Sequence, residues 1–92
     1  MITIELPRAL GVELEGGTAV RIDDACATVG DALAELGRRE PAAFDRVMNE
    51  RGELRQHVNV FVNDENIRFI DGLASPVSDG STIYVLAAIS GG

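Results

Sequence analysis

Two alternating apolar segments stand at opposite ends of the chain, and they constrain its fold more than anything between them. Near the start, Ile2, Ile4 and Leu6 alternate with Thr3 and Glu5, the two-residue period of a half-buried strand. Pro7 ends or edges that strand, because proline cannot donate to a sheet ladder. At the other end, residues 83–89 (IYVLAAI) form an apolar run suited to a buried strand, and Ser90, Gly91 and Gly92 cannot extend it. Strands this apolar suit the middle of a sheet, side by side and parallel, covered by other elements.

The intervening chain supplies what that arrangement needs. Gly11, Gly16 and Gly17 punctuate a turn region, and residues 19–23 (AVRID) alternate as the partner strand of an N-terminal hairpin. Thr28 reads as a helix N-cap, with Asp31 three residues on approximating a capping box. Val29, Leu33 and Leu36 make one apolar stripe with Ala32 beside it, and Gly37 stands where a C-terminal cap is expected. Pro41 opens a second, shorter helix whose buried face is Phe44, Val47 and Met48, closed by Gly52.

Residues 58–62 (VNVFV) are the cleanest strand, with Val58, Val60 and Val62 on one face and Asn59 and Phe61 on the other. A turn at residues 63–66 leads to residues 67–70 (IRFI), read as a returning strand. Asp71-Gly72 forms a turn, residues 73–76 an irregular crossing, and Asp79-Gly80 a tight turn into the last strand. A hairpin, a helix and further strands give a mixed sheet with the helix across one face. The expected class is α+β, a β-grasp (ubiquitin-like) fold with about five strands, one main helix and a short second helix. A ferredoxin-like α+β sandwich is the competing arrangement. Residues 1–87 are expected to form the body and residues 88–92 a flexible tail.

Composition narrows the function classes. A net charge of −7 argues against nucleic acid, whose phosphates attract clustered cations. All eight basic residues are Arg, so no side-chain amine exists through which copies could be linked. The lone Cys26 excludes an intramolecular disulfide and paired-cysteine metal clusters. No apolar run approaches the ~20 residues that span a bilayer, and the N-terminus lacks the basic-then-apolar pattern of a signal peptide. A cytoplasmic, reducing setting, no membrane partner and a monomeric free state are the expectations.

Catalytic constellations are missing from the pattern. His57 is the only histidine and has no identifiable acid–base partner. Cys26 has no base nearby in sequence to activate it. Asp64-Glu65 lacks the glycine and distal bidentate glutamate of a calcium loop. Gly16-Gly17 precedes a strand, whereas phosphate-binding glycines precede a helix. What remains is the Gly91-Gly92 pair. A carboxylate is a poor electrophile and must be activated, for instance as an acyl-adenylate, inside another protein's pocket. A side-chain-free arm can thread a narrow channel and adopt backbone angles closed to other residues.

Residues 58–92 carry a recognisable pattern: VNVFVND on a strand and turn, then IRF, a GLA…V.DG segment and a terminal Gly-Gly. This run resembles the MoaD/ThiS family of ubiquitin-like sulfur carriers. The first strand and the helix at 28–37 are consistent with it. Within the family the likeness is greatest to the branch serving a cysteine-biosynthesis route. The resemblance implies that Gly92 is adenylated by an ATP-Mg-dependent, ubiquitin-activating-type adenylyltransferase/sulfurtransferase and becomes a thiocarboxylate. In the cysteine branch it further implies transfer of the sulfur to a PLP-dependent cysteine synthase and release of cysteine by a metallopeptidase. The carrier itself is then no enzyme and holds no cofactor. Other branches serve molybdopterin, thiamine or thio-siderophore synthesis. A ubiquitin-like protein modifier and a non-catalytic acidic interaction domain are the readings from other classes.

One departure from the family pattern is that Ala87 and Ala88 stand where tails often carry proline. Alternation places Phe61, Tyr84 and Leu86 outward, away from the helix. Phe61, Leu86 and Ile89 are expected to meet the activating enzyme, and Ser90 and Gly91 to thread its channel. Whether Ile67 or Phe69 joins this patch depends on the register of the preceding turn.

Overall fold

A computed structural model describes residues 1–7, 19–23 and 25–87. Strand β1 (Ile2–Glu5) pairs antiparallel with β2 (Ala19–Ile22), with Ile4 opposite Val20. Helices α1 (Val29–Arg39) and α2 (Pro41–Val47) follow, then β3 (Val58–Val62), the two-residue β4 (Glu65–Asn66) and β5 (Thr82–Ala87). The sheet order is β2-β1-β5-β3-β4, with β1 and β5 parallel at its centre and every other pair antiparallel. The two apolar ends of the chain therefore do lie side by side, in the β-grasp arrangement.

The core forms where one face of every long strand meets the helices. Ile2, Ile4, Ile22, Val58, Val60, Ile83 and Val85 are buried with Val29, Ala32, Leu33 and Leu36 of α1 and Ala43 and Val47 of α2. At ~25 cal/mol per Å² of apolar surface removed from water, this aliphatic layer is the main favourable term of the fold. Serine contributes at one point. Ser75, fully buried, accepts from the Asp71 amide through Oγ at 3.0 Å and from the Val29 amide through its carbonyl at 3.0 Å. It thus ties the start of α1 to the chain beneath it.

The capping box at the start of α1 is complete. Thr28 Oγ1 accepts from the Asp31 amide at 3.1 Å, and Asp31 Oδ2 accepts from the Ala27 and Thr28 amides at 3.1 and 3.2 Å. The end of α1 differs from expectation. Gly37 lies inside the helix, which runs on to Arg39. A Cβ at Gly37 would stand 3.0 Å from the Phe44 ring, so this glycine permits close packing of α2 on α1 and caps nothing. Pro41 instead ends α1, since it pushes the preceding Glu40 out of helical geometry (φ −135°, ψ 73°) while starting α2. Gly52 likewise falls in a turn beyond Met48, the C-cap of α2.

Residues 67–70 do not form the returning strand that their alternation suggests. Only Glu65 and Asn66 pair with β3, and Ile67–Phe69 then form a 3-10 turn. Asn66 Oδ1 accepts from the Arg68 amide at 2.9 Å, turning the chain, and Ile67 drops into the core at 1% exposure. A second 3-10 turn, Gly72–Ala74, leads back under α1. The Asp79-Gly80 turn is present, with Gly80 at φ +89°, a conformation that favours glycine. No helix among the described residues is long and apolar enough to cross a membrane.

Candidate functional site: the outer face of the sheet

The outer face is built by the alternate residues of the same strands. Phe61 on β3 stands opposite Tyr84 on β5, and Tyr84 in turn neighbours Glu5 on β1. Leu86 lies one pleat further along β5, opposite Asn59. Tyr84 and Leu86 are 41% and 48% exposed, and Phe61 is half-buried between neighbours. Aromatic cross-strand pairs of this kind are favourable in their own right. Here they also leave an apolar surface exposed among the described residues.

The turn after β3 completes the surface. Asn63 takes a left-handed φ of 54°, which asparagine tolerates, and donates its amide to the Thr82 carbonyl at 2.8 Å. Its Oδ1 accepts from the Thr82 amide at 3.1 Å. This two-way clamp joins the β3–β4 turn to the start of β5 and so fixes the register that faces Phe61 with Tyr84. Phe61, Asn63, Asp64, Tyr84 and Leu86 line a shallow depression of about 260 Å³. An apolar floor with one carboxylate at its lip suits a protein partner presenting an apolar side chain beside a cation.

Phe61 and Leu86 are thus brought together as the sequence suggests. Ile67 is excluded from the patch by its burial, and Phe69, at 87% exposure, is not among the residues lining the depression. Tyr84, Asn63 and Asp64 join the depression without having been singled out as contact residues. Tyr84 was legible as outward-facing, but its pairing with Phe61 follows from the register. Ile89, Ser90, Gly91 and Gly92 lie outside the described residues. His57 is exposed next to β3, and Cys26 is half-buried beside Ile2 and Asp79 in a separate cavity of about 400 Å³. Among the described residues, no group of three or more His, Cys, Asp or Glu could hold a metal ion.

Comparison with known proteins decides the family. The model of the ThiS family matches residues 11–92, nearly the whole chain and as far as the glycine pair. This chain belongs to the ThiS family. As a ThiS-family protein it is 31% identical to the sulfur carrier protein CysO of Mycobacterium tuberculosis, over 99% of this chain and 98% of that one. It is 38% identical to small archaeal modifier protein 3 of Haloferax volcanii, over 78% of this chain and 76% of that one. Among solved structures, the BexX/CysO complex of Amycolatopsis orientalis contains a chain matching at TM-score 0.80 and 32% identity, with each chain covered in full. The β-grasp assignment and membership of a sulfur-carrier and ubiquitin-like-modifier family are therefore established. These ThiS-family relatives bear the names of carriers and modifiers and not of enzymes.

Proposed function

We propose that this protein is a sulfur carrier for cysteine biosynthesis, acting through the carboxylate of Gly92. The observation that carries the reading is the end-to-end similarity to CysO of Mycobacterium tuberculosis, combined with a Gly91-Gly92 pair closing the matched region. In the proposed cycle, a Gly92 carboxylate oxygen attacks the α-phosphorus of ATP in the activating enzyme and pyrophosphate leaves. A sulfur nucleophile at the sulfide level then attacks the acyl carbon of the adenylate. AMP departs with the original oxygen, leaving a thiocarboxylate. Activation converts a poor leaving group into a good one, and ATP-Mg belongs to the partner's site.

Each part of the chain has a role in that scheme. Residues 1–87 are the rigid body and residues 88–92 the arm. Phe61 and Leu86, with Tyr84 between them, dock on the activating enzyme, and Ile89 contacts it nearer the tip. Ser90 and Gly91 pass through its channel. A PLP-dependent cysteine synthase accepts the sulfur, forming a carrier–cysteine adduct, and a metallopeptidase hydrolyses that adduct and restores the Gly92 carboxylate. The catalytic groups are all in the partners.

Intact-mass measurement of protein isolated from its native host tests the scheme. Replacement of one oxygen by sulfur, and an adduct of cysteine size, are the expected species. Deleting Gly92 is expected to abolish adenylation while leaving the circular-dichroism spectrum unchanged, and retained adenylation would overturn the proposal. The similarity to small archaeal modifier protein 3 favours a second reading as a protein modifier. Mass shifts on lysines of other proteins, carrying the remnant of residues 69–92 that trypsin leaves because no Lys or Arg follows Arg68, would select it.

A further inference from the structure

A second groove lies on the far side of the β3–β4 turn from the outer-face depression. It encloses about 340 Å³ and is lined by Val62, Asn63, Asp64, Glu65, Ile70, Pro76, Ser78 and Ser81. Its composition is lopsided in a way that specifies an occupant. Ile70 (37% exposed) and the exposed Pro76 offer an apolar wall, while Asp64 and Glu65 put two carboxylates at one lip. Among the described residues no Arg lines it. The two serine hydroxyls lie 3.3 Å apart, and Ser81 Oγ already accepts from the Ser78 amide at 3.1 Å. A site with an apolar wall and anionic acceptors at one end matches a long basic side chain, which lays its methylenes on apolar surface and keeps its charged head among acceptors.

Two further features bear on who supplies that side chain. Asn63 and Asp64 line both this groove and the depression holding Phe61, Tyr84 and Leu86, so the two surfaces meet at one ridge. A partner seated on the outer face reaches the groove by wrapping one segment over the turn. Beside the groove, the 3-10 turn holds Phe69 out at 87% exposure, its geometry set by the Asn66–Arg68 bond and by the Ile70 amide donating to the Ile67 carbonyl at 3.1 Å. The ring is presented on a hydrogen-bonded turn adjacent to Ile70.

We propose that the groove receives an arginine or lysine of the activating enzyme, with Glu65 and Asp64 pairing its charge and Phe69 packing beside the segment that carries it. This makes the β3–β4 turn a recognition ridge gripped on both sides. The inference rests on the proposed function, since it takes the activating enzyme as partner.

The test is ATP–pyrophosphate exchange by the activating enzyme of the native host, with the full-length carrier as varied substrate at several salt concentrations. Glu65→Lys and Phe69→Ser are the variants, both at exposed positions, with melting curves recorded for each. The expected result is a KM for carrier raised about tenfold by Glu65→Lys, with kcat unchanged and the salt dependence of KM flattened, because a screened ion pair has been removed. Phe69→Ser is expected to raise KM while keeping the salt dependence. A Glu65→Lys KM within about twofold of wild type, or an unaltered salt slope, overturns the proposal, because a bystander surface charge contributes little. Failure of the wild-type protein to support exchange would refute the sulfur-carrier reading instead, so the two failures are distinguishable.

Discussion

The two faces of strands β3 and β5 use adjacent residues of the same backbone and follow different rules. Toward the helices stand Val58, Val60, Ile83 and Val85, all branched aliphatics and all at most 1% exposed. Away from them stand Asn59, Phe61, Tyr84 and Leu86, a mixture of aromatic, polar and aliphatic groups that no other element among the described residues covers. The inner set is what close packing under two helices demands, since an interior at crystal-like density tolerates little change in side-chain shape. The outer set has no packing duty comparable to it. Large apolar groups gathered on a face free of that duty are the mark of a surface that another molecule completes.

The largest effect expected on this contrast comes from the inner face. Ile83 is fully buried at the centre of the sheet, between β1 and β3. Ile83→Ala removes branched carbon and leaves a cavity under α1, at a cost of about 2–5 kcal/mol. That is a large share of the ~5–15 kcal/mol that stabilises a domain. Thermal or urea unfolding followed by circular dichroism checks it. The KM for carrier in adenylation, measured below the variant's melting transition, is expected to stay at the wild-type value. A shift in KM at constant fold would break the separation of the faces.

Asn63 sharpens the comparison because it sits on the seam between them. Its left-handed φ and its bond to the Thr82 amide serve the register, while its side chain also lines the depression. Asn63→Ala is expected to cost about 1–2 kcal/mol, from left-handed backbone in a residue less suited to it and one lost hydrogen bond. Unfolding curves read the loss. Amide chemical shifts of Phe61 and Tyr84 report whether the register between β3 and β5 has loosened as well.

The sequence made much of this fold legible where one physical rule acted alone. Alternation separated Val58 and Val60 from Phe61, and the Thr28–Asp31 pair announced the start of α1 before any tertiary contact was considered. It was less informative where rules competed. Gly37 has the residue type of a C-terminal cap, but its role comes from Phe44, a partner on the next helix that local pattern does not reveal. Residues 67–70 alternate well enough for a strand, yet the Asn66 side chain accepts from the Arg68 amide and closes a turn there. At the candidate site, exposure of Tyr84 and Leu86 followed from parity. The facing of Tyr84 and Phe61, and the place of Asp64 at the lip, depended on a register set by the Asn63 clamp.

The smallest effect on stability, and the most discriminating, is expected from Leu86→Asp. Leu86 is 48% exposed and lies opposite Asn59, so its side chain loses little burial when replaced. Substitutions at such positions usually stay within about 0.5 kcal/mol. The same change places a carboxylate on the apolar floor that a partner must desolvate, where an unpaired charge is far more costly than in water. It also adds to the negative charge of Asp64 at the lip. The expected outcome is therefore an unchanged melting temperature together with a KM for adenylation raised by about tenfold or more. Unchanged adenylation kinetics would remove the outer face from the docking surface. The apolar character of Phe61, Tyr84 and Leu86 would then need an explanation within the fold, and the packing of the described residues offers none.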